Sequence, residues 1–289
     1  MLAPDGVTGS VFPVVVAGYG ADSDAVHLFL PPVSSKSLTD SDAVILNGPI
    51  WYDVDQVPVD VGDLDGDGFT SLALMSAIDL GRLSWTSGVA VLDALPSSSM
   101  YVHEAEHLYP GVDRLTGGNI YASRSGDLDG DGYGDLLLRE SSETVGKWSS
   151  AGCVFIFPGP LDAGATYSDA PTQVCGAFSG ADFGYDADGS GDLDANGVND
   201  LVATQAESTE DEANGWVGVF YGPLATGVSS ATDVDLSIEG SYWGHGAKRV
   251  ASGGDWDGDG VDDFVVGAPG DATYETDAGA AFLFFGQGL

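Results

Sequence analysis

Basic residues are almost absent from this chain of 289 residues. It has 8 lysines and arginines against 45 aspartates and glutamates, which gives a formal net charge of −37. A surface of that sign repels phosphate backbones, so the composition argues against a nucleic-acid partner. Hydrophobic residues nevertheless make up 43% of the chain, which is enough for a core and unlike a disordered acidic segment.

Long apolar runs are missing too. No stretch approaches the roughly 20 residues that a transmembrane helix needs, so membrane insertion is not expected. The apolar run at residues 11–17 has no basic residue before it, as a secretion signal would have. Either a secretion signal has been removed or the protein is intracellular.

Glycine is abundant, at 43 residues, and favours tight turns over long helices. One glycine-rich acidic segment recurs four times, and its leading aspartates lie 64, 65 and 63 residues apart. The four copies are residues 62–68, 126–132, 191–197 and 254–260. A fixed period across most of a chain indicates a repeat architecture.

The same series of short apolar runs surrounds each acidic copy. Around Asp192 these runs are residues 201–203, 216–221, 234–238 and 248–251, and turn residues separate them. Four short strands per unit at a constant period are typical of a propeller blade. The sequence therefore predicts an all-β fold, a β-propeller of four-stranded antiparallel blades.

The predicted propeller spans residues 1–289 in about five units of about 64 residues. Their approximate bounds are 1–50, 51–114, 115–178, 179–241 and 242–289. The first unit is degenerate, because Asp5 is followed by Val7, Gly9 and Pro13 at the other loop positions. The first and last units are each about one strand short, so a five-bladed ring and a piece of a larger propeller in a longer protein both stay open.

The acidic loops are predicted to bind up to four calcium ions. Carboxylates at positions 1, 3 and 5 of a tight loop converge and repel one another unless a cation lies between them, and calcium accepts six to eight such oxygen ligands. A backbone carbonyl at position 7 and a side chain at position 9 complete each set. The predicted ligands are Asp63, Asp65, Asp67, Phe69, Ser71; Asp127, Asp129, Asp131, Tyr133, Asp135; Asp192, Asp194, Asn196, Val198, Asp200; and Asp255, Asp257, Asp259, Val261, Asp263. Acidic turns without a metal are the alternative.

A helix–loop–helix calcium motif shares this opening but needs a bidentate acid at position 12. Position 12 is Leu74, Leu138, Ala203 and Val266 in the four loops, and none of these side chains can bind a cation. Each also lies in an apolar run, so a strand rather than a helix is predicted after the loop.

The pattern Asp-x-Asp-Gly-Asp-Gly-x-x-Asp, with Phe183-Gly184 or Trp243-Gly244 upstream and Gly267-Ala268-Pro269 downstream, resembles the FG-GAP repeats of integrin α-subunit propellers. The resemblance covers nearly the whole chain. It implies structural calcium in a hairpin between two strands of each blade, and a protein-binding or adhesion scaffold rather than an enzyme. Propellers of that family commonly have seven blades, which this chain does not reach.

Two other functions stay open. Some propellers with such repeats bind sugars between blades, so a glycan-binding lectin is one alternative. The other is a zinc-dependent hydrolase, because His103, Glu104 and His107 match the pattern His-Glu-x-x-His, with Asp113 as a conceivable third ligand. That chemistry needs a helix, whereas the unchanged loop spacing places this segment on an exposed strand or turn.

The two cysteines are expected to lie on adjacent strands. Cys153 starts the third predicted strand of its unit, and Cys175 lies near the end of the fourth. Antiparallel neighbours place the start of one strand beside the end of the next, within reach of a disulfide. Two free thiols are the alternative. A disulfide, together with calcium sites of modest affinity, would indicate a secreted or extracellular protein.

Overall fold

The computed structural model describes most of the chain from residue 58 onward. The described residues are 14–18, 25–29, 43–46, 58–79, 85–94, 96, 98–111, 120–162, 165–205, 215–240, 248–271, 275 and 278–287. For residues 14–18, 25–29, 43–46, 76–79 and 85–86 only the backbone is described. The degenerate first loop predicted at Asp5 lies outside these residues.

The described residues form short strands and three single-turn 3-10 helices. The strands are β1 (Val14–Gly18), β2 (Ala25–Phe29), β3 (Ala43–Leu46), β4 (Val59–Asp60), β5 (Leu72–Asp79), β6 (Trp85–Leu92), β7 (Met100–Tyr101), β8 (His107–Pro110), β9 (Tyr121–Ser123), β10 (Leu136–Glu140), β11 (Cys153–Phe157), β12 (Thr172–Cys175), β13 (Phe183–Gly191), β14 (Asp200–Gln205), β15 (Trp216–Phe220), β16 (Gly227–Ser230), β17 (Leu236–Glu239), β18 (Arg249–Ser252), β19 (Phe264–Ala268) and β20 (Ala280–Phe284). The 3-10 helices are Val102–Glu104, Tyr167–Asp169 and Ala231–Asp233. The prediction of an all-β fold is confirmed.

The strands form five sheets that follow one another along the chain. Their strand orders are β1-β2-β3-β7, β4-β5-β6-β8, β16-β12-β11-β10-β9, β13-β14-β15-β17 and β18-β19-β20, here called the first to fifth sheets. Within each sheet the consecutive strands pair antiparallel, whereas β7 and β16 add to the edge of the preceding repeat's sheet as parallel strands. The antiparallel four-stranded meander predicted for each unit is confirmed for the second to fourth sheets.

The register repeats from sheet to sheet. Counted from the first aspartate of each acidic loop, the tenth residue lies at or near the start of the sheet's second strand. In each of these sheets this residue pairs with the corresponding residue of the third strand. The pairs are Leu72 with Leu92, Leu136 with Phe157, Leu201 with Phe220, and Phe264 with Phe284. Each loop therefore joins the first and second strands of its sheet in the same way.

Apolar layers lie between consecutive sheets from the second to the fifth, as β11 illustrates. Cys153, Phe155 and Phe157 pack in a cluster with residues of the second sheet. The alternating residues Val154 and Ile156 pack in a different cluster with the fourth sheet. Successive side chains of a strand point to opposite faces, so the two clusters cover the two faces of β11, and both faces are buried. A third cluster joins the fourth and fifth sheets, so the second to fifth sheets pack face to face in chain order.

Cys153 and Cys175 form a disulfide across the antiparallel pair of β11 and β12. Their Cα atoms are 4.2 Å apart, and the two residues lie directly opposite each other, as predicted. Among the described residues, no helix is long and apolar enough to cross a membrane.

Candidate metal centres

Each acidic loop brings three carboxylates together. In each group, one oxygen from every member lies within 4.8 Å of the others. The groups are Asp63, Asp65 and Asp67; Asp127, Asp129 and Asp135; Asp192, Asp194 and Asp200; and Asp255, Asp257 and Asp259. In the second and third loops the group includes the acid at position 9, whereas in the first and fourth it includes position 5. The four loops are named below by their first residues, as the Asp63, Asp127, Asp192 and Asp255 loops.

Backbone amides shape each loop around its first aspartate. In the Asp127 loop, the N–H of Gly130 donates to Asp127 Oδ1 at 2.7 Å and that of Gly132 to Oδ2 at 2.9 Å. Asp129 and Asp131 each accept an N–H from the residue two further on. The same two contacts to the first aspartate recur in the Asp63 and Asp255 loops. In the Asp192 loop the first aspartate accepts the N–H of Asn196, at position 5, together with that of Gly197. These local hydrogen bonds explain why short acidic side chains alternate with residues that tolerate a turn.

Position 6 requires glycine for its backbone conformation. Gly132 has φ +96°, and a Cβ added there would meet nothing within 4 Å. The requirement is therefore the left-handed backbone and not a lack of space. In the Asp192 loop Ala195 stands at position 4 with φ +60°, so this loop accepts a strained residue where the others have glycine.

The acid at position 9 is buried and connects the loop to the end of the third strand. Asp135 is fully buried, and its two oxygens accept the N–H groups of Leu128 at 2.7 Å and Gly159 at 3.3 Å. Asp200 and Asp263 make the equivalent pairs of contacts. Burial raises the pKa of Asp135 to about 7 and that of Asp200 to about 6. A nearby cation would favour the ionised form of these carboxylates.

The Asp63 loop closes differently. Ser71 takes position 9, is buried, and donates from its hydroxyl to Asp93 Oδ1 at 3.3 Å. The other oxygen of Asp93 lies 2.9 Å from His107 Nε2. The residue at position 9 of this loop is thus tied to an acid at the end of the third strand. Sequence reasoning overlooked Asp93, although an acid directly after an apolar strand is the signal that could have found it.

Position 7 was predicted to contribute a backbone carbonyl. The N–H groups of the four residues there, Phe69, Tyr133, Val198 and Val261, donate to the side chains at position 5. The side chain of Tyr133 packs over the preceding loop, because a Cβ on Gly66 would lie 2.5 Å from its ring. These contacts place the residues at the loop. Ligation by their carbonyls stays a prediction.

The His-Glu-x-x-His segment does not form the helix that a zinc hydrolase needs. His103 and Glu104 lie in the 3-10 turn Val102–Glu104, and His107 begins β8. Glu104 accepts the N–H of Tyr101 at 2.8 Å, and the exposed ring of His103 stacks on Tyr101. His107 is buried and pairs with Asp93, so the expectation of an exposed segment was wrong for this residue. Asp113 lies outside the described residues.

No protein-family model matches this chain. Among curated proteins, the chain is similar to integrin alpha-PS5 of Drosophila melanogaster, with 29% identity over 154 residues. The aligned region is 52% of this chain and 15% of that protein. The similarity therefore links about half of this chain to a small part of an integrin α-subunit, in agreement with the resemblance of the acidic repeats.

Proposed function

We propose that this chain is a calcium-loaded β-propeller scaffold that binds a protein ligand or mediates adhesion outside the cell. The observation that carries the proposal is the recurrence of four acidic loops in register, each with three carboxylates converging. Carboxylate oxygens at this density suit calcium rather than a transition metal. The ions are structural: each offsets the repulsion within one loop and holds the connection between two strands.

The propeller arrangement is supported by the way the sheets pack. The second to fifth sheets stack in chain order through shared apolar layers, and an antiparallel meander with both faces covered is the unit from which propellers are built. The predicted units from 1–50 to 242–289 correspond to one blade each.

The extracellular location is supported by the Cys153–Cys175 disulfide. Disulfides persist in oxidising compartments, and calcium sites of modest affinity fill where calcium is abundant. The role in adhesion rests on the similarity to integrin alpha-PS5. That role is carried over from the relative, whereas the metal function comes from the geometry of the loops.

Calcium removal tests the metal function. The oxidised protein is melted in excess calcium, in excess chelator, and after calcium is restored, with magnesium as the control cation. Each occupied loop contributes about 2.7 kcal/mol to the free energy of unfolding when free calcium is 100 times its dissociation constant. We expect a clear, reversible fall in melting temperature on chelation. An unchanged melting curve would rule out structural calcium.

A glycan array probed with the calcium-loaded protein tests the ligand class. The adhesion scaffold predicts no saturable glycan signal above that of the chelated protein. Calcium-dependent binding to a defined glycan would instead support the lectin and contradict the protein-binding scaffold.

A further inference from the structure

Adjacent acidic loops are joined to each other by hydrogen bonds at their first aspartates. The backbone carbonyl of Asp127 accepts the N–H of Asn199 at 2.8 Å. In return, the N–H of Asp127 donates to the side-chain oxygen Oδ1 of Asn199 at 3.0 Å. Asn199 is position 8 of the Asp192 loop, so one residue of that loop binds both backbone groups of its predecessor's first aspartate.

The next pair of loops repeats this contact. The carbonyl of Asp192 accepts the N–H of Asp262 at 3.1 Å, and its N–H donates to Asp262 Oδ2 at 3.0 Å. Asp262 is again position 8, now of the Asp255 loop. Between the first two loops the position 8 residue is Gly134. Its N–H donates to the carbonyl of Asp63 at 2.8 Å, but glycine has no side chain to accept the N–H in return.

The space for this side chain comes from the glycine that precedes the first aspartate. A Cβ placed on Gly126 would lie 2.3 Å from Asn199 Oδ1. Any larger residue there would displace the side chain of Asn199. The glycine at the head of the repeat therefore has a role between repeats, in addition to any role within its own loop.

We propose that Asn199 and Asp262 are positioning residues for the cation site of the preceding loop. Each fixes the backbone of an aspartate whose carboxylate accepts amides of its own loop, three for Asp127 and two for Asp192. It therefore fixes the direction in which that carboxylate faces a cation. Preorganisation of this kind raises affinity by lowering the cost of ordering the loop on binding. Neither residue is among the predicted ligands. The inference rests on the proposed calcium binding.

The test is a calcium titration of the full chain followed by amide NMR. The position 6 glycines Gly68, Gly132, Gly197 and Gly260 report on the four loops separately, because in each loop this amide donates to the first aspartate. Asn199→Ala should weaken calcium binding at Gly132 about 5-fold, the equivalent of one hydrogen bond, and leave Gly197 in its own loop within about 2-fold. Asp262→Ala should instead weaken calcium binding in the Asp192 loop, as reported by Gly197.

Two conservative variants provide the rescue. Asn199→Asp and Asp262→Asn exchange the side chains that the two repeats use at position 8, and both keep one oxygen for the amide of the preceding aspartate. Asp262→Asn gives up the second oxygen, which accepts the N–H of Gly254 in its own loop. Each should retain wild-type affinity at the preceding loop within about 2-fold. Two results for Asn199→Ala or Asp262→Ala would overturn the inference: a loss of calcium affinity only in the loop that contains the substitution, or an equal loss in all four loops. The second result would indicate a general loss of stability rather than an effect on the preceding loop.

Hydrogen exchange in the unmutated, calcium-loaded protein provides a measurement that needs no variant. The amides of Asp127 and Asp192 should exchange more slowly than that of Asp63, whose neighbour at position 8 is glycine. Equal exchange would overturn the positioning role. If the position 6 amides of the unmutated protein do not respond to calcium, the proposed function fails, and the inference fails with it. A saturating response that Asn199→Ala leaves unchanged overturns the inference alone.

Discussion

The Asp63 and Asp127 loops share one sequence pattern over their first six positions but are held in different ways. In the Asp127 loop the closing acid is buried and accepts two backbone amides, and a neighbouring side chain holds the first aspartate. In the Asp63 loop the residue at position 9 is Ser71, which donates to Asp93. The residue of the next loop that contacts the first aspartate is Gly134, which has no side chain. Six matching positions therefore do not produce matching sites, because the contacts that differ come from residues outside those six positions.

The sheets that carry these loops also differ between their third and fourth strands. Cys153 and Cys175 are bonded in the third sheet at the position where the second sheet pairs Gly88 with Pro110. The third repeat thus has a covalent bond between its third and fourth strands, whereas in the second repeat the end of the third strand contacts the fourth through Asp93 and His107. We expect the third repeat to resist local unfolding more than the second.

The largest expected difference is at position 9. Asp135→Ala would leave the buried N–H groups of Leu128 and Gly159 without their acceptor, at about 1–3 kcal/mol each. We expect a loss of about 2–5 kcal/mol in the free energy of unfolding, measured by denaturant titration. Ser71→Ala removes one hydroxyl contact and should cost about 1 kcal/mol. Equal losses from the two substitutions would contradict the comparison, and Asp135→Asn, which keeps one acceptor, is the intermediate control.

Removal of the disulfide should have the next largest effect. The bonded cysteines are 22 residues apart, and closing a loop of that length contributes about 3 kcal/mol. Cys153→Ser with Cys175→Ser should lower the free energy of unfolding by about that amount, as should reduction of the unmutated protein. Thiol counting under denaturing, non-reducing conditions is the check. Two free thiols in protein made under oxidising conditions would contradict both the bond and its support for secretion.

The pair of Asp93 and His107 should contribute less. His107→Ala removes a hydrogen bond of 2.9 Å between two mostly buried side chains and leaves Asp93 without that partner, so we expect a loss of about 2 kcal/mol. His103→Ala is the matched control from the same segment, and its exposed ring should matter by less than about 0.5 kcal/mol. Bound zinc in the unmutated protein that either substitution abolishes would revive the hydrolase alternative.

The smallest expected difference is in calcium affinity. The Asp127 loop has all four acids, and Asn199 binds both backbone groups of its first aspartate. We therefore expect this loop to bind calcium about 5-fold more tightly than the Asp63 loop, or about 1 kcal/mol. Calorimetric titration of Asp63→Ala and Asp127→Ala tests this ranking. It would be wrong if Asp127→Ala removed the weaker of the two sites.

Sequence alone was sufficient for the repeat, the all-β meander and the position of the loops. These features depend on local backbone preferences and on the alternation of apolar side chains, both of which recur at a fixed period. The cysteine pair was also predictable, because antiparallel pairing of adjacent strands fixes which residues face each other. Asp93 and Asn199 were overlooked, because their contacts with Ser71 and Asp127 are made outside the strands, where strand pairing does not fix which residues face each other.

The amino-acid sequence by itself determined that carboxylates would converge in four loops, since the spacing of aspartates and glycines within each loop sets a tight turn. Only the tertiary structure decided how each loop is closed and by which neighbour it is held. The physical reason is that packing of successive sheets brings position 8 of one loop against position 1 of another, and the end of a third strand against position 9. A pattern confined to one loop contains no information about those contacts.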